Sequence, residues 1–234
     1  MISVCIATYN GASYLSLQLS SILDQLGVDD EVIISDDGST DETLKIVESM
    51  NDGRIRIVEG PRQASPVRNF ENALLHSHGD IIFLSDQDDV WLDGKVKQMC
   101  KALEVSDCVT SNCVVTDDEL SVTHPSFFAL NRTKYGKAYN LLVKNGYLGC
   151  CMAFKRKILD KALPFPANIP MHDIWLGNVA AYYYSVSFLN EPLIKFRRHD
   201  SNASPTARKS TYSLMQKMQF RFNVMVELLK RKTK

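Results

Sequence analysis

The segment DIIFLSDQDDVW, residues 80–91, joins an apolar run to a cluster of carboxylates. A short apolar run bounded by polar residues is typical of a strand that is buried on both faces of a sheet. Asp86, Asp88, Asp89 and Asp93 follow within eight positions, and these charges repel one another unless solvent or a cation intervenes. The segment therefore predicts a buried strand that ends at a candidate cation site.

The rest of the first hundred residues alternates between strand and helix patterns. Three further apolar runs predict strands at ISVCIA (2–7), EVIISDD (31–37) and IRIVEG (55–60). Helical patterns follow these runs at Tyr14–Leu26, from Ser39 to about Met50, and at Pro66–His78. Ser39 and Glu42 have the spacing of a capping box. Strict alternation predicts an α/β fold with a mostly parallel central sheet flanked by helices.

The second half of the chain has a less regular pattern. A helix at Trp91–Leu103 and a strand at CVTSNCVV (108–115) are expected to complete the sheet, and residues 116–137 have the composition of a mobile surface loop. The remaining predicted elements are a strand at LGCCMAF (148–154), a helix at Ile174–Tyr184, a strand pair at SVSFLN (185–190) and LIKFRRH (193–199), and an amphipathic helix at Tyr212–Lys230.

Composition and charge restrict the class of protein. The 234 residues, 45% of them hydrophobic, predict one continuous globular unit, and 27 basic against 27 acidic residues give no overall field that would attract nucleic acid. The six cysteines lack C-x-x-C spacing, which predicts free buried thiols in a reducing compartment. Because we see neither a run of ~18 apolar residues nor a signal-peptide pattern, we expect a cytoplasmic protein.

Polar clusters follow three of the predicted strands. They are Thr8-Tyr9-Asn10, Asp36-Asp37-Gly38-Ser39 and Asp86-Gln87-Asp88-Asp89. Ligands of open parallel sheets bind beyond the carboxyl ends of the strands, so we expect all three clusters to line one cleft.

The Asp-x-Asp step at Asp86 and Asp88 offers oxygen ligands for a hard divalent cation, which a diphosphate would complete from the other side. A solvated turn is the alternative. An EF-hand loop is excluded because Val90 and Trp91 occupy positions where it needs an oxygen ligand and a glycine. A phosphatase of the haloacid dehalogenase type would want Asp-x-Asp-x-Thr early in the chain, whereas Val90 occupies the threonine position.

Across roughly residues 1–200 the chain resembles family 2 glycosyltransferases, which have the glycosyltransferase A fold. Five segments carry the resemblance, in the family's order: SVCIATYNGASYLSLQLSSILDQ (3–25), EVIISDDGSTDETLKIV (31–47), GDIIFLSDQDDVW (79–91), GCCMAF (149–154) and MHDIWL (171–176). The pairing of SDQDDVW with MHDIW is most similar to the bacterial rhamnosyltransferase-like branch.

The resemblance implies a nucleotide site. Thr8, Tyr9 and Asp37 match positions that hold the nucleotide, with the carboxylate of Asp37 accepting the pyrimidine ring N–H. Arg68 matches a base-contacting arginine, and Asp86 matches a residue that contacts the ribose or the metal. A turn-forming aspartate before Gly38 is the alternative for Asp37.

The resemblance also implies a base and a metal site. Asp173 matches the general base of an inverting transfer, and a helix N-cap is its alternative structural role. Asp88 matches a metal ligand, and His199 matches a histidine that completes the metal or touches the diphosphate. A divalent cation, Mn²⁺ or Mg²⁺, is implied, and the imidazole weakly favours manganese. Either Arg197 or Arg198 would neutralise the leaving phosphates, and the sequence does not choose between them.

Four further residues are candidates for contact with the acceptor or the transferred sugar. Gly149 and Cys150 match a site where the backbone approaches the sugar, although buried strand packing also explains the cysteine. His172 stands where most of the family has Glu, and it contacts the acceptor or simply packs. Trp175 would stack on a sugar ring or lie on an apolar helix face.

Together these features predict an inverting metal-dependent glycosyltransferase that acts on a cell-surface polysaccharide or lipid-linked saccharide. Its donor would be dTDP-rhamnose, with a UDP-hexose as the chief rival. Residues 1–110 would bind the donor, residues 111–205 would bind the acceptor and carry catalysis, and residues 206–234 would form a basic amphipathic helix. That helix would dock on the protein or rest on a membrane at the inner face of the plasma membrane. The rival functions are an inactive nucleotide-sugar-binding scaffold and a sugar nucleotidyltransferase, although ATYNGASY (7–14) lacks the cationic phosphate loop of the latter.

Overall fold

The structure is a computed structural model that describes residues 1–200, 202 and 212–232. Its strands are β1 Ile2–Thr8, β2 Glu31–Asp36, β3 Ile55–Glu59, β4 Ile81–Asp86, β5 Val90–Trp91, β6 Cys108–Thr116, β7 Val122–His124, β8 Met152–Lys155 and β9 Val186–Arg197. Its helices are α1 Leu15–Leu23, α2 Thr43–Ser49, α3 Pro66–His76, α4 Lys95–Leu103, α5 Phe127–Asn131, α6 Lys137–Leu142, α7 Leu159–Ala162, α8 His172–Tyr183 and α9 Leu214–Arg231.

One mixed sheet runs through the molecule in the order β3-β2-β1-β4-β8-β6-β9-β5, with β7 paired to β6. Strands β3, β2, β1 and β4 are parallel, β8 is antiparallel to β4 and β6, and β9 is parallel to β6. The α/β fold class is therefore confirmed. The carboxyl ends of β1, β2 and β4 meet at one edge, so the three polar clusters that follow them are neighbours.

Alternate residues of the central strands enter two apolar cores on opposite faces of the sheet. In β1, Val4 and Ile6 pack on the face that carries α1, whereas Cys5 packs with Phe70 of α3 and Trp175 of α8 on the other. Successive strand side chains point to opposite faces, so a strand covered on both sides reads as a continuous apolar run. All six cysteines are free, as predicted, and five of them are buried.

Several local predictions are wrong. Helix α2 begins at Thr43 without a side-chain cap, because the Ser39 hydroxyl instead donates to Asp36 (2.5 Å). Helix α4 begins at Lys95, since Val90 and Trp91 pair with β9 as a short strand. The predicted loop at 116–137 contains β7 and α5.

The predicted strand pair near the end of the sheet is a single strand, β9. The sequence Asn190-Glu191-Pro192 has the composition of a turn, but irregular pairing with β6 at this point accommodates the proline within one strand. Residues 206–211, 233 and 234 of the predicted C-terminal segment lie outside the described residues.

Candidate active site

A cavity of about 530 Å³ opens at the carboxyl edge of the sheet. It lies between the ends of β1, β2 and β4 on one side and the start of α8 on the other. Its lining includes nine of the twelve residues predicted to form the site: Thr8, Tyr9, Asp37, Asp86, Asp88, Gly149, His172, Asp173 and His199. A volume of this size is typical of small-molecule sites.

At one end of the cavity, the turn after β2 is built around Asp36. Its carboxylate accepts hydrogen bonds from the Thr8 hydroxyl (3.0 Å) and the Ser39 N–H (2.8 Å). The adjacent Asp37 is 7% exposed, and its carboxylate accepts the N–H of Gln63 at 3.2 Å. Of the two neighbouring aspartates, Asp36 therefore stabilises the turn and Asp37 contributes to the cavity wall.

The carboxylates after β4 lie in a strongly negative, partly buried environment. Burial, together with the charges of Asp88 and Asp173, raises the pKa of Asp86 to about 8. Asp89 is fully buried, and burial followed by the charges of Asp88 and Asp86 raises its pKa well above the usual range. Groups that repel in this way favour a bound cation.

Asp88 is bound from the other side of the cleft by the segment after β9. Its Oδ2 atom lies 2.9 Å from His199 Nε2 and 2.7 Å from Asn202 Nδ2. The His199 ring stacks on Tyr14 with centroids 4.6 Å apart, which fixes the orientation of the imidazole. The structure thus brings together the two residues predicted to hold the metal, although they are 111 positions apart in sequence.

The donor set in this region fits a divalent cation. Asp86, Asp88 and His199 line one cavity, and carboxylate oxygens of Asp86 and Asp89 with the Cys150 Sγ atom lie within 4.8 Å of one another. Carboxylate oxygens suit magnesium or manganese, whereas a thiolate suits softer metals. Burial raises the pKa of the Cys150 thiol well above its usual range, which leaves oxygen and imidazole as the available ligands.

Asp173 lies in the first turn of α8 and faces the cavity. Its Oδ2 atom accepts the Gly149 N–H at 3.1 Å, and its Oδ1 atom accepts the N–H of Ile174 at 2.7 Å. Burial raises the pKa of Asp173 to about 6, and these backbone hydrogen bonds oppose part of that rise. The carboxylate is therefore ionised at neutral pH but more basic than an exposed aspartate, as a general base requires.

Gly149 allows close approach of the start of α8. A Cβ atom at this position would lie 2.8 Å from His172 Nε2 and 3.4 Å from the Asp173 Cβ atom. Two protein side chains, those of His172 and Asp173, therefore explain why a small residue is required at this position.

His172 is 3% exposed and stacks on Phe70, with ring centroids 3.9 Å apart. Neither ring nitrogen has a hydrogen-bond partner among the described residues. Burial lowers the pKa of His172 to about 3, so the ring is neutral at physiological pH.

Three residues predicted to contact the nucleotide or the sugar lie outside the cavity lining. The Arg68 guanidinium pairs with Glu71 (2.5 Å) and donates to the Phe165 carbonyl (3.1 Å). Trp175 is fully buried in the core, with its indole N–H bonded to a carbonyl of α7. Cys150 is fully buried beside Asp89. In the described part of the chain, none of the three lines the cavity.

The two arginines at the end of β9, Arg197 and Arg198, have different environments. Arg197 is 7% exposed and its Nε donates to the Asp88 carbonyl at 2.8 Å, so it braces the loop that carries the acids. Arg198 lines the cavity, which favours it over Arg197 as the residue that would meet phosphate.

Sequence reasoning did not single out several residues that build this site. Gln87 forms a reciprocal pair of hydrogen bonds with the backbone of Tyr9, and Asn69 Nδ2 donates to the Thr8 carbonyl at 3.1 Å. Asn202 binds Asp88 directly. Isolated polar residues such as Asn69 of α3 and Asn202 give no sequence pattern, and only Gln87, inside the Asp cluster, had a signal that could have identified it.

The chain matches the family model described as Glycosyl transferase family 2 over residues 3–163. Among curated proteins it is 28% identical to the dTDP-rhamnosyl transferase RfbG of Shigella flexneri, covering 84% of this chain and 72% of that protein. It is 27% identical to the Escherichia coli enzyme WfgD, "UDP-Glc:alpha-D-GlcNAc-diphosphoundecaprenol beta-1,3-glucosyltransferase", covering 76% of this chain and 69% of that protein.

Solved structures show the same fold. TarS 1–349 of S. aureus in complex with UDP-GlcNAc has a TM-score of 0.72 at 19% identity, over 98% of this chain and 66% of that chain. The glucosyl-3-phosphoglycerate synthase of Mycobacterium tuberculosis, in complex with Mn²⁺, UDP and glucosyl-3-phosphoglycerate, has a TM-score of 0.60 at 20% identity, over 99% of this chain and 79% of that chain. The chain thus spans about two thirds to four fifths of these relatives, and it belongs to glycosyl transferase family 2, with the glycosyltransferase A fold.

Proposed function

We propose that this chain is an inverting, metal-dependent glycosyltransferase in which Asp173 is the general base. The observation that carries the proposal is that Asp173 and Asp86 line the same cavity. The two carboxylates are close enough for the charge of Asp173 to help raise the pKa of Asp86. The proposed base and the carboxylates proposed to bind a cation thus line the same cavity, which has room for a sugar.

In this reaction the acceptor hydroxyl gives its proton to the Asp173 carboxylate while its oxygen forms a bond to the anomeric carbon. The bond between that carbon and the diphosphate oxygen breaks, and its electron pair leaves with the nucleoside diphosphate. Attack from the face opposite the leaving group inverts the configuration. A divalent cation held by Asp86, Asp88 and His199 would neutralise charge on the diphosphate. Arg198, which lines the same cavity, would add a second positive charge.

The proposed donor is dTDP-rhamnose, with a UDP-hexose as its rival. The similarity to a dTDP-rhamnosyl transferase supports the first, and the similarity to a UDP-glucose-dependent enzyme supports the second. Both carry a pyrimidine whose ring N–H the buried Asp37 carboxylate would accept, next to Thr8 and Tyr9. The position of Arg68 gives its predicted base contact no added support, and that role remains a prediction.

The proposed acceptor is a hydroxyl of a growing surface saccharide, including one carried on a lipid. The name of the E. coli enzyme WfgD specifies a diphosphoundecaprenol-linked sugar as acceptor, and this relative supports a lipid-linked acceptor. Gly149 and His172, on the wall beside Asp173, are the proposed acceptor-side contacts.

Helix α9 provides a surface for the proposed contact with a membrane. Val224 and Leu228 are buried in the core beside α8. Another face exposes Leu214, Met215, Met218, Phe222 and Leu229. The helix and its C-cap also carry the basic residues Lys217, Arg221, Lys230, Arg231 and Lys232. A basic helix with an exposed apolar face fits an anionic lipid surface. Among the described helices, none is both long and apolar enough to span a bilayer.

An inactive scaffold that only binds nucleotide sugars is the rival function. It does not require a buried carboxylate of raised pKa on the acceptor side of the cavity, so the environment of Asp173 favours the enzyme.

The deciding experiment is a donor screen. Purified protein is incubated with dTDP-rhamnose, UDP-glucose, UDP-GlcNAc or a GDP-sugar, with Mn²⁺, Mg²⁺ or EDTA, and released nucleoside diphosphate is measured with and without saccharide acceptors. We expect metal-dependent release from a dTDP- or UDP-sugar, and the configuration of the product tests inversion. Binding of a nucleotide sugar without turnover under all these conditions would support the scaffold instead.

A further inference from the structure

Lys95, in the first turn of α4, is a buried lysine that the proposed chemistry does not use. Its side chain is 0% exposed, its ammonium donates to the Cys150 carbonyl at 2.6 Å, and it lies 4.3 Å from the centre of the Trp91 ring. Burial lowers the pKa of Lys95 to about 8, so the group is still mainly protonated at pH 7. Removing an ammonium from water is costly, and a single carbonyl with an aromatic face offsets only part of that cost.

The Cys150 carbonyl that Lys95 binds belongs to the segment that contacts the proposed base, Asp173. Cys150 is the central residue of the tight turn Gly149–Cys151, and the N–H of Gly149 donates to Asp173 Oδ2 at 3.1 Å. A bond to the Cys150 carbonyl therefore fixes, from behind, the peptide segment that orients Asp173.

Lys95 also interacts electrostatically with Asp89, the buried acid of the proposed cation site. Asp89 is 0% exposed and accepts the N–H of Arg197 at 3.0 Å, which ties the loop after β4 to the end of β9. The Asp89 carboxylate is close to the Asp86 carboxylate and to the Cys150 thiol. The charge of Asp89 also favours the protonated form of Lys95. The ammonium therefore attracts Asp89 when that acid is ionised, and Lys95 does so without lining the cavity.

A purely structural role explains these contacts less well. A methionine at position 95 would fill much of the same space without a charge to desolvate, but it would remove the donor that Lys95 gives to the Cys150 carbonyl. These two effects on the free energy of unfolding oppose each other, so the ammonium contributes little net stability.

We propose that Lys95 is a positioning residue for sugar transfer, which holds the Gly149–Cys151 turn, and through it Asp173, in the geometry of the reaction. This inference rests on the proposed function. It predicts that removing the ammonium lowers kcat and leaves binding of the nucleotide, at the far end of the cavity, unchanged.

The test compares Lys95→Met with Lys95→Arg, which keeps the charge and N–H donors, and with the control Lys97→Met, an exposed lysine of the same helix. For each protein we measure the Tm, the Kd of UDP and of dTDP with Mn²⁺, and the kcat and KM for the donor that the screen identifies. We expect Lys95→Met to have a Tm close to that of wild type, a Kd and KM within twofold of wild type, and a kcat reduced at least tenfold. Lys95→Arg should recover part of the kcat, and Lys97→Met should match wild type.

An unchanged kcat in folded Lys95→Met overturns the inference. So does a variant that fails to fold, or one that loses Tm, nucleotide affinity and kcat together, because Lys95 is then a structural residue. A wild-type protein that transfers no sugar contradicts the proposed function itself, whereas equal transfer by wild type and Lys95→Met contradicts only this inference.

Discussion

The pH dependence of transfer provides a direct test of Asp173 as the base. Its pKa is raised to about 6, chiefly by burial at the start of α8, from an ordinary value of 3.8. Because the base must be ionised, activity is lost as the pH falls through this pKa. The ionised fraction is about 9% at pH 5 and about 91% at pH 7, so kcat/KM should rise about tenfold across this range. An exposed aspartate would change by less than about 10% over the same interval.

The assay measures release of nucleoside diphosphate between pH 4.5 and 8 at saturating Mn²⁺, with nucleotide affinity measured at each pH to separate binding from chemistry. Asp173→Asn should lower kcat by about 10²- to 10⁴-fold, the usual contribution of a general base, and should remove the limb near pH 6. Asp160→Asn, at an exposed carboxylate of α7, is the matched control and should retain both. A wild-type profile that is flat between pH 5 and 7, or an Asp173→Asn variant that keeps the limb, would refute the assignment of the base.

Three further results are expected. Asp88→Asn keeps the side-chain shape but removes its charge, so the extra thermal stabilisation that Mn²⁺ gives to the UDP or dTDP complex should disappear; a shift equal to that of wild type would exclude Asp88 as a ligand. Gly149→Ala brings a Cβ atom to 2.8 Å from His172 Nε2, so we expect a kcat at least tenfold lower and about 1–3 kcal/mol less unfolding free energy, measured by denaturant titration. Full activity in this variant would show that the start of α8 can move without consequence. Replacing Met218 and Phe222 of α9 by serine should abolish co-sedimentation with phosphatidylglycerol vesicles, and equal binding to phosphatidylcholine vesicles by wild type would contradict an electrostatic contribution.

The sequence predicted the parts of the fold that depend on short-range pattern. Strands β1, β2 and β4 are apolar runs because both faces of each are covered, and the polar residues after them meet because parallel strands share a carboxyl edge. Asp37, Asp86 and Asp88 could therefore be placed in one cavity without coordinates. The same reasoning failed at β9, where pairing with β6 overrides a turn-like stretch around Pro192.

Contacts between distant segments set the rest of the site. No periodicity predicts that Asn202 would bind Asp88 or that Arg68 would bind the Phe165 carbonyl. The Arg68–Glu71 pair is different, because a spacing of three positions on one helix favours such an ion pair. Lys95 gave no signal at all, since a lysine at the start of a helix is usually exposed. Its burial follows from the placement of α4 against the Gly149–Cys151 turn, which only the tertiary structure reveals.

The energetics of the cavity favour catalysis over simple binding. Burial raises the pKa of Asp86, Asp89 and Asp173 in this structure, so each of these carboxylates, when ionised, makes the folded state less stable than solvated acids would. A bound cation with its diphosphate would relieve the repulsion between Asp86 and Asp89. This relief would stabilise a protein that only binds a nucleotide sugar as well as an enzyme, so these two acids do not distinguish the two functions. Asp173 is different, because its two carboxylate oxygens are already held by the backbone N–H groups of Gly149 and Ile174, and the proposed cation ligands are other residues. A desolvated and oriented carboxylate of this kind reduces stability, and under the proposed function this cost would be offset by the removal of a proton from the attacking hydroxyl.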